Sequence, residues 1–330
     1  MASVSGNNSA KPFLSVAVLC YNLENFIGEC LQSVMSQDLD VPFEVIVGDD
    51  GSKDKSVEVI ESFCARYPDI IKLIRHEQNV GYSRNFSDVI EATSGEYIAC
   101  IDGDDLMLPG KLKRQLEFLE TQREFGMVVH KMRPINALTG ETVDFPLPRD
   151  KPSVFDAQYL IERGPFFFTS SAMFRGALRR RYPVDLDLKV VADVANLMQS
   201  FYGTQARYLD EEMGLYRVNP KGFTSTVIKN PARHETSISD MLRTCMMAET
   251  LGMDKAVVDR GRARLFLTSA ILYLETGHYE EFERCIASSM RFARISSKQA
   301  GLHALRRWPH ALHTLYTLAK QMAGRQPVRV

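Results

Sequence analysis

Residues 98–110 read IACIDGDDLMLPG, an apolar run that ends on three aspartates, Asp102, Asp104 and Asp105. Carboxylates in one turn repel each other and resist leaving water. A buried segment that ends on such a cluster has made a solvated turn or built a seat for a divalent cation, with a second anion on the cation's far side. Mg2+ and Mn2+ prefer oxygen ligands and bridge carboxylates to phosphates. Two further apolar runs end on polar groups: SVAVLCYN on Tyr21 and Asn22, and FEVIVGDD on Asp49 and Asp50. The seven histidines are scattered, with no HxxxH or Cys/His grouping. No GxGxxG, GxxxxGK[ST] or GxSxG stretch occurs, which argues against standard dinucleotide, ATPase and hydrolase sites.

The elements that must position these groups follow from periodicity. Strands are expected over 15–22, 43–50, 71–76 and 97–102, alternating with helices over 25–37, 55–67 and 82–93 and with one opened by Pro109 that runs to about residue 124. This alternation implies an α/β fold: a mainly parallel, Rossmann-like sheet with helices on both faces. In such sheets ligands bind beyond the carboxyl ends of the strands, so Tyr21, Asn22, Asp49, Asp50, Asp102 and Asp104 should converge on one crevice. After residue 125 the pattern changes. Strands are expected over 127–135 and 207–218, helices over 155–163 and 190–201, and the aromatic FFFTSSAMFR (166–175) reads as a strand. From about 233 the chain is nearly all helix, with breaks near Gly252, Gly277, Gly301 and Pro309.

Bulk composition sets the outer limits. The chain has 330 residues, 45% apolar and 25% charged, with net charge −1, so nothing overall points to nucleic acid. Six cysteines without CxxC pairing read as reduced, buried thiols in a reducing compartment. The polar start, residues 1–12, is expected to be disordered and lacks the apolar stretch of a signal peptide. No apolar run is long enough to span a membrane. These features place the protein in the cytoplasm.

The ordered set VAVLCYNLENFIGECLQSVMSQ, VGDDGSKDKS, NVGYSRN, IDGDDLMLP, VVADVANLMQ and LYRVNP resembles family-2 glycosyltransferases, nucleotide-diphospho-sugar transferases with the GT-A fold, over roughly residues 13–225. The resemblance implies a GT-A catalytic domain over 13–230, with a nucleotide-binding half (13–125) and an acceptor half (126–230), followed by a helical C-terminal region over 231–330. It implies a metal-dependent, inverting transfer of a sugar from a nucleoside-diphosphate sugar to a glycan or lipid-linked acceptor, in surface polysaccharide or glycolipid assembly. Asp104 would bind Mg2+ or Mn2+. Asp102 would contact the ribose or a metal-bound water. Asp50, or else Asp49, would hydrogen-bond the base, flanked by Tyr21 and Asn22. Arg84 would lie near the base and diphosphate. Asp193 would take the acceptor proton, with Ala192 standing where the family commonly has a first acid; Asp185 and Asp187 are the alternatives. Arg217, Asn219 and Lys221 would form a loop over the diphosphate, with Asn219 where a histidine often stands. Each group also has a bland reading: turn formers for Asp49 and Asp50, a helix N-terminal carboxylate for Asp193, a solvated charge for Arg84 and a surface loop for 215–226.

From residue 284 to 330 there are nine Lys or Arg and no Asp or Glu. Apolar residues recur there at helical intervals around Trp308, the sole tryptophan. This stretch is either a packed helix with a solvated basic face or a surface-lying helix that contacts anionic membrane lipid. Two other readings of the whole chain compete. A sugar-nucleotidyltransferase would need a Gly/Arg/Lys-rich triphosphate loop, which SVAVLCYNLEN lacks. A catalytically degenerate GT-A domain, binding nucleotide-sugar or glycan as an assembly subunit, is favoured by Ala192 and Asn219 and opposed by Asp50, Asp102, Asp104 and Asp193.

Overall fold

The computed structural model describes residues 11–145, 151–219 and 230–322. The expected disorder over 1–12 falls outside these up to residue 10. Contacts divide the chain into two units: Met1–Ala157, Phe166–Leu186 and Asn196–Asn219 form the first, and Gln158–Pro165, Asp187–Ala195 and Pro220–Val330 the second.

The first unit opens with β1 (Leu14–Cys20), α1 (Ile27–Met35), β2 (Phe43–Asp49), α2 (Ser56–Arg66), β3 (Ile71–Arg75), α3 (Tyr82–Ala92) and β4 (Tyr97–Asp102). These strands run parallel in the order β3-β2-β1-β4. Each is a short apolar run because it is covered on both faces. Leu14, Val16, Val18 and Cys20 share one face with Val45, Val47, Ala99 and Ile101, and they pack against Ile27, Leu31 and Val34 of α1 and Ile60 of α2. Alternate residues face the other way, where α3 lies on β2. A Cβ on Gly48 would stand 2.3 Å from Asn85 Oδ1 and 2.4 Å from Val89 Cγ2, so only glycine admits the helix here. The β1 ladder pairs Cys20 with Asp49 and Leu19 with Asp102. The chain leaves β1 toward β2 on one side and returns on the other as β4. The strand order therefore reverses at the β1/β4 edge, where open α/β sheets bind ligands.

Next come β5 (Leu106–Met107), α4 (Lys111–Thr121), β6 (Phe125–Asn136), β7 (Val154–Phe155), α5 (Ala157–Arg163), a 3-10 turn (Thr169–Ser171), β8 (Met173–Arg175), α6 (Gly176–Arg179), α7 (Asp193–Phe201) and β9 (Gln205–Val218). The sheet continues from β4 through β8, β6, β9 and β5, with β7 on β9. Only β6–β9 is parallel in this half; β4–β8, β6–β8, β5–β9 and β7–β9 are antiparallel. The described residues thus form a nine-stranded mixed sheet whose parallel character is concentrated in the N-terminal strands β1–β4. The stretch 166–175 is not one strand. Phe166, Phe167 and Phe168 are all buried, and neighbouring residues of a strand point to opposite faces. The chain instead bends through the 3-10 turn and pairs only from Met173. The helix expected from Pro109 starts at Lys111, because Gly110 takes a left-handed conformation (φ 83°) as its cap.

The second unit is mainly helical: α8 (Pro231–Thr250), α9 (Lys255–Glu275), α10 (Tyr279–Phe292), α11 (Ser297–Ala304) and α12 (Pro309–Met322). Asn230, Asp254 and Ser296 cap three of them with side-chain oxygens. Gly252 and Gly277 break the helices at positive φ as expected, and Pro309 opens α12. Gly301 does not break a helix; it lies within α11, and the interruptions flank it. Ile238, Phe266, Tyr273, Phe282, Ile286, Leu302 and Leu312 form the core. Glu162 pairs with Arg260 at 2.9 Å, and Asp240 of α8 gathers the loop before α7, which accounts for the inclusion of 158–165 and 187–195. Among the described residues no helix is long and apolar enough to cross a membrane. The six cysteines are free thiols, five of them buried.

Candidate active site

The acidic turn sits at the β1/β4 edge. Gly103 N donates to Leu19 O at 2.8 Å, so the turn is tied directly to β1. A Cβ at Gly103 would meet that carbonyl at 2.8 Å and Ile27 Cδ1 at 2.9 Å; the close approach requires glycine. The three aspartates diverge from there. Asp102 and Asp104 are half-buried, whereas Asp105 is fully buried. Asp105 Oδ1 accepts the Arg217 backbone N–H at 2.9 Å, which hooks β9 to the turn. Burial, then repulsion from Asp104 and Asp102, holds the Asp105 carboxyl well above the usual carboxylate range. Burial also raises Asp104, with the Arg217 charge opposing it.

Arg217 is placed by β9 beneath this turn. Its Nη1 donates to Asp104 O at 2.9 Å, its Nη2 pairs with Glu29 of α1, and its guanidinium lies 5.1 Å from the Phe26 ring centroid. Behind the turn, the Ser170 hydroxyl accepts the Asp102 N–H at 3.0 Å. Lys111 is buried, and its ammonium donates to Ser170 O at 2.6 Å. Burial pushes the Lys111 pKa down to about 8, against the attraction of Cys100, Asp105 and Cys30.

The two loops after β1 and β2 are locked together by reciprocal hydrogen bonds. Asn22, at φ 53°, donates its N–H to Ser52 Oγ at 2.9 Å and accepts Lys53 N–H on Oδ1 at 2.8 Å. Glu24 and Leu23 bond across to Lys55, Asp54 and Ser56. Asp49 is fully buried and accepts both the N–H and the hydroxyl of Ser52, at 3.0 and 2.5 Å, a turn-forming role. Asp50 Oδ1 accepts the N–H groups of Val80 and Gly81 at 2.6 and 3.2 Å, joining this loop to the N-terminus of α3. Burial raises its pKa despite those two bonds. Tyr21 is exposed beside them. Arg84, in the first turn of α3, is half-exposed and forms an ion pair with Asp88 at 3.0 Å.

The structure therefore brings Tyr21, Asn22, Asp49, Asp50, Asp102 and Asp104 to adjacent strand ends in the first unit. Asn219 follows β9 directly, and Lys221 lies outside the described residues. Asp193 belongs to the second unit, where it opens α7. It is half-buried, its carboxylate accepts the Val194 N–H at 3.0 Å, and burial raises its pKa. Just before it, a single oxygen of the buried Asp240 accepts the N–H groups of Lys189, Val190 and Val191 at 3.0, 2.6 and 3.0 Å. Asp187 pairs with Arg243 at 2.8 Å. Sequence reasoning missed Glu29, Lys111, Ser170 and Asp240. Each is of a type common on surfaces, and no local pattern distinguishes it.

The donor set fits a divalent cation completed by substrate. Among the described residues no three His, Cys, Asp or Glu side chains converge as a metal cage. Asp102 and Asp104 offer two half-buried carboxylates on one turn, which would suit an ion that takes its remaining oxygens from phosphate and water. Asp105 is buried and hydrogen-bonded elsewhere, so it is not part of that set.

Comparison with known proteins agrees with this fold. The family model described as Glycosyl transferase family 2 matches residues 15–180. The Mycobacterium tuberculosis protein Rv1520 is 31% identical over 211 residues, which span 63% of this chain and 60% of that protein. Staphylococcus aureus TarS 1–349, solved with UDP-GlcNAc, superposes with a TM-score of 0.67 at 17% identity, covering 94% of this chain and 92% of that one. The Pyrobaculum calidifontis mannosyltransferase PcManGT, solved with GDP-Man and Mn2+, gives 0.57 at 16% identity over 94% and 88%. At these identities the structural likeness shows the fold.

Proposed function

The chain belongs to glycosyltransferase family 2, and from that premise we propose a metal-assisted, inverting transfer of a sugar from a nucleoside diphosphate to a hydroxyl of a glycan or lipid-linked acceptor. The observation that carries the proposal is the pair of half-buried carboxylates, Asp102 and Asp104, at the edge where the strand order reverses. Asp104, with Asp102 beside it, would hold Mg2+ or Mn2+. The bound cation supplies charge neutralisation of the departing diphosphate. Asp50 and the locked 21–25 and 49–56 loops would seat the nucleoside, with Tyr21 against the base. Asp49 serves that seat from behind, through Ser52. Arg217 would serve the diphosphate indirectly, by holding the turn in place. Asp193 is proposed to take the acceptor proton as the hydroxyl attacks. A carboxylate whose pKa burial has raised is a better base for that step than a solvated one. Attack opposite the leaving group in a single displacement inverts the anomeric centre.

The UDP-sugar and GDP-sugar complexes of the structural neighbours support a nucleotide-sugar donor. Calorimetry with UDP, GDP, CDP and dTDP, with and without Mn2+, tests the reading. One nucleotide should bind in a Mn2+-dependent manner, and Asp104→Ala should abolish that dependence. A folded wild-type protein that binds none of the four overturns the proposal and leaves the degenerate assembly-subunit reading.

The C-terminal helices support peripheral contact with an anionic membrane as part of this function. Leu305, Trp308, Leu315 and Leu318 are exposed on a stretch without acidic residues, beside the exposed Arg307. Flotation with phosphatidylglycerol vesicles should exceed that with phosphatidylcholine vesicles and fall in Trp308→Ser/Leu315→Ser. Equal flotation in every case sinks the idea.

A further inference from the structure

We propose that Lys111, Gln115 and Ser170 form a positioning brace that orients the Asp102 carboxylate for its ligand; this rests on the nucleotide-and-cation reading of the acidic turn. Lys111 and Gln115 are one helical turn apart on α4, so their side chains leave the same face. Lys111 Nζ donates to Ser170 O at 2.6 Å, and Gln115 Nε2 donates to Ser171 O at 2.8 Å. Two successive carbonyls of the 3-10 turn are thereby pinned by one helix face. All four residues are at most 1% exposed, so water does not compete for these bonds.

The pinned turn presents Ser170 Oγ to Asp102. The hydroxyl accepts the Asp102 N–H at 3.0 Å and reaches Asp102 Oδ2 at 3.4 Å. A serine hydroxyl carries one donor and two acceptor sites and rotates to suit them, so it can take both roles at once. The hydroxyl thus touches the main chain and, by a long contact, one carboxylate oxygen of the same residue, and it also bears on the neighbouring Asp105 carboxyl. Asp102 itself is half-buried.

A purely structural turn makes a different prediction from a positioning brace, and the neighbouring serine separates them. Ser171 lies in the same turn, is equally buried, and spends its hydroxyl on Phe168 O at 2.7 Å. Wild type, Ser170→Ala and Ser171→Ala are compared by calorimetry, titrating Mn2+ with whichever of UDP, GDP, CDP and dTDP wild type prefers. Thermal unfolding is followed in parallel. The brace predicts similar losses of Tm in both variants but a weakening of Mn2+-dependent nucleotide binding, roughly five- to tenfold, in Ser170→Ala alone, the size expected for one net hydrogen bond. Equal weakening in both variants, or none in Ser170→Ala, overturns the brace while leaving the functional reading intact. A wild type that binds no nucleotide overturns the functional reading and the brace with it.

Discussion

Replacing Arg217 by methionine should cost the first unit about 3 kcal/mol, an estimate built from its contacts. The guanidinium donates to Asp104 O at 2.9 Å from a side chain only 8% exposed. A charged donor to a carbonyl contributes roughly 1.5–3 kcal/mol. The Glu29 partner is 66% exposed, so that ion pair adds at most about 1 kcal/mol after solvent screening. The Phe26 ring at 5.1 Å adds of order 0.5 kcal/mol. Methionine keeps the packing of the aliphatic stem, and the Arg217 backbone N–H still reaches Asp105, so those contributions survive. For a unit of this size, about 3 kcal/mol lowers Tm by roughly 6–12 °C. The assay is scanning calorimetry. The sole tryptophan, Trp308, lies in the second unit, and its fluorescence would report the wrong transition. Arg217→Lys should fall between the two, because an ammonium lacks the planar fork that serves Asp104 O and Glu29 together. A methionine variant whose unfolding stays within 2 °C or so of wild type would refute the assignment of Arg217 as the support of the acidic turn.

Gly103→Ala should destabilise by roughly 1–3 kcal/mol, because the new methyl meets the Leu19 carbonyl of β1 and neither strand can yield; a chemical-denaturation midpoint equal to wild type would contradict this. Glu44 is 1% exposed, and although burial alone would raise its pKa, hydrogen bonds from Ser94, Ser15 and Lys72 bring the net value below normal. Its stabilisation is therefore present above the unfolded carboxylate pKa of about 4.3 and is lost as pH falls through the lower folded value. Stability measured from pH 6 down to pH 3 should drop less steeply in Glu44→Gln, and parallel profiles would exclude this role. Asp240→Ala removes the acceptor of three successive N–H groups; hydrogen exchange over 189–191 should speed up by about tenfold or more, while Asp240→Asn, which keeps an acceptor oxygen, should retain much of the protection.

The N-terminal half of the sheet was legible because parallel strands buried on both faces are written as unbroken apolar runs, and each such run ends on polar residues at the same edge. The α/β alternation and the convergence of Tyr21, Asp50 and Asp102 needed nothing more than that. The second half was harder. Its antiparallel strands include β5, β7 and β8, each three residues or fewer, too short to show a period. FFFTSSAMFR looked continuous because aromatic residues favour strands, yet tertiary packing buries all three phenylalanines by bending the chain. Partnerships were the least legible level. In KLKRQ, Lys111 and Gln115 have the composition of a solvated helix face, but β4 and the 3-10 turn close over them. Arg84, expected near the base and diphosphate, pairs with Asp88 on its own helix; Arg217, expected in a loop over the diphosphate, lies buried under the turn.

The third aspartate of the DGDD stretch explains how the first and second can remain available. Asp105 accepts the Arg217 N–H in direct contact, while burial and repulsion from Asp104 and Asp102 favour its neutral form. By turning inward, Asp105 draws β9 under the turn. That places the Arg217 side chain against Asp104 O, where it orients the backbone of Asp104. The Lys111 and Arg217 side chains are thus committed to main-chain carbonyls and to Glu29. Asp102 and Asp104 stay half-buried, while Asp105 is fully buried. Burying one aspartate and two basic side chains behind the turn holds its other two carboxylates in place, as the proposed cation site would require.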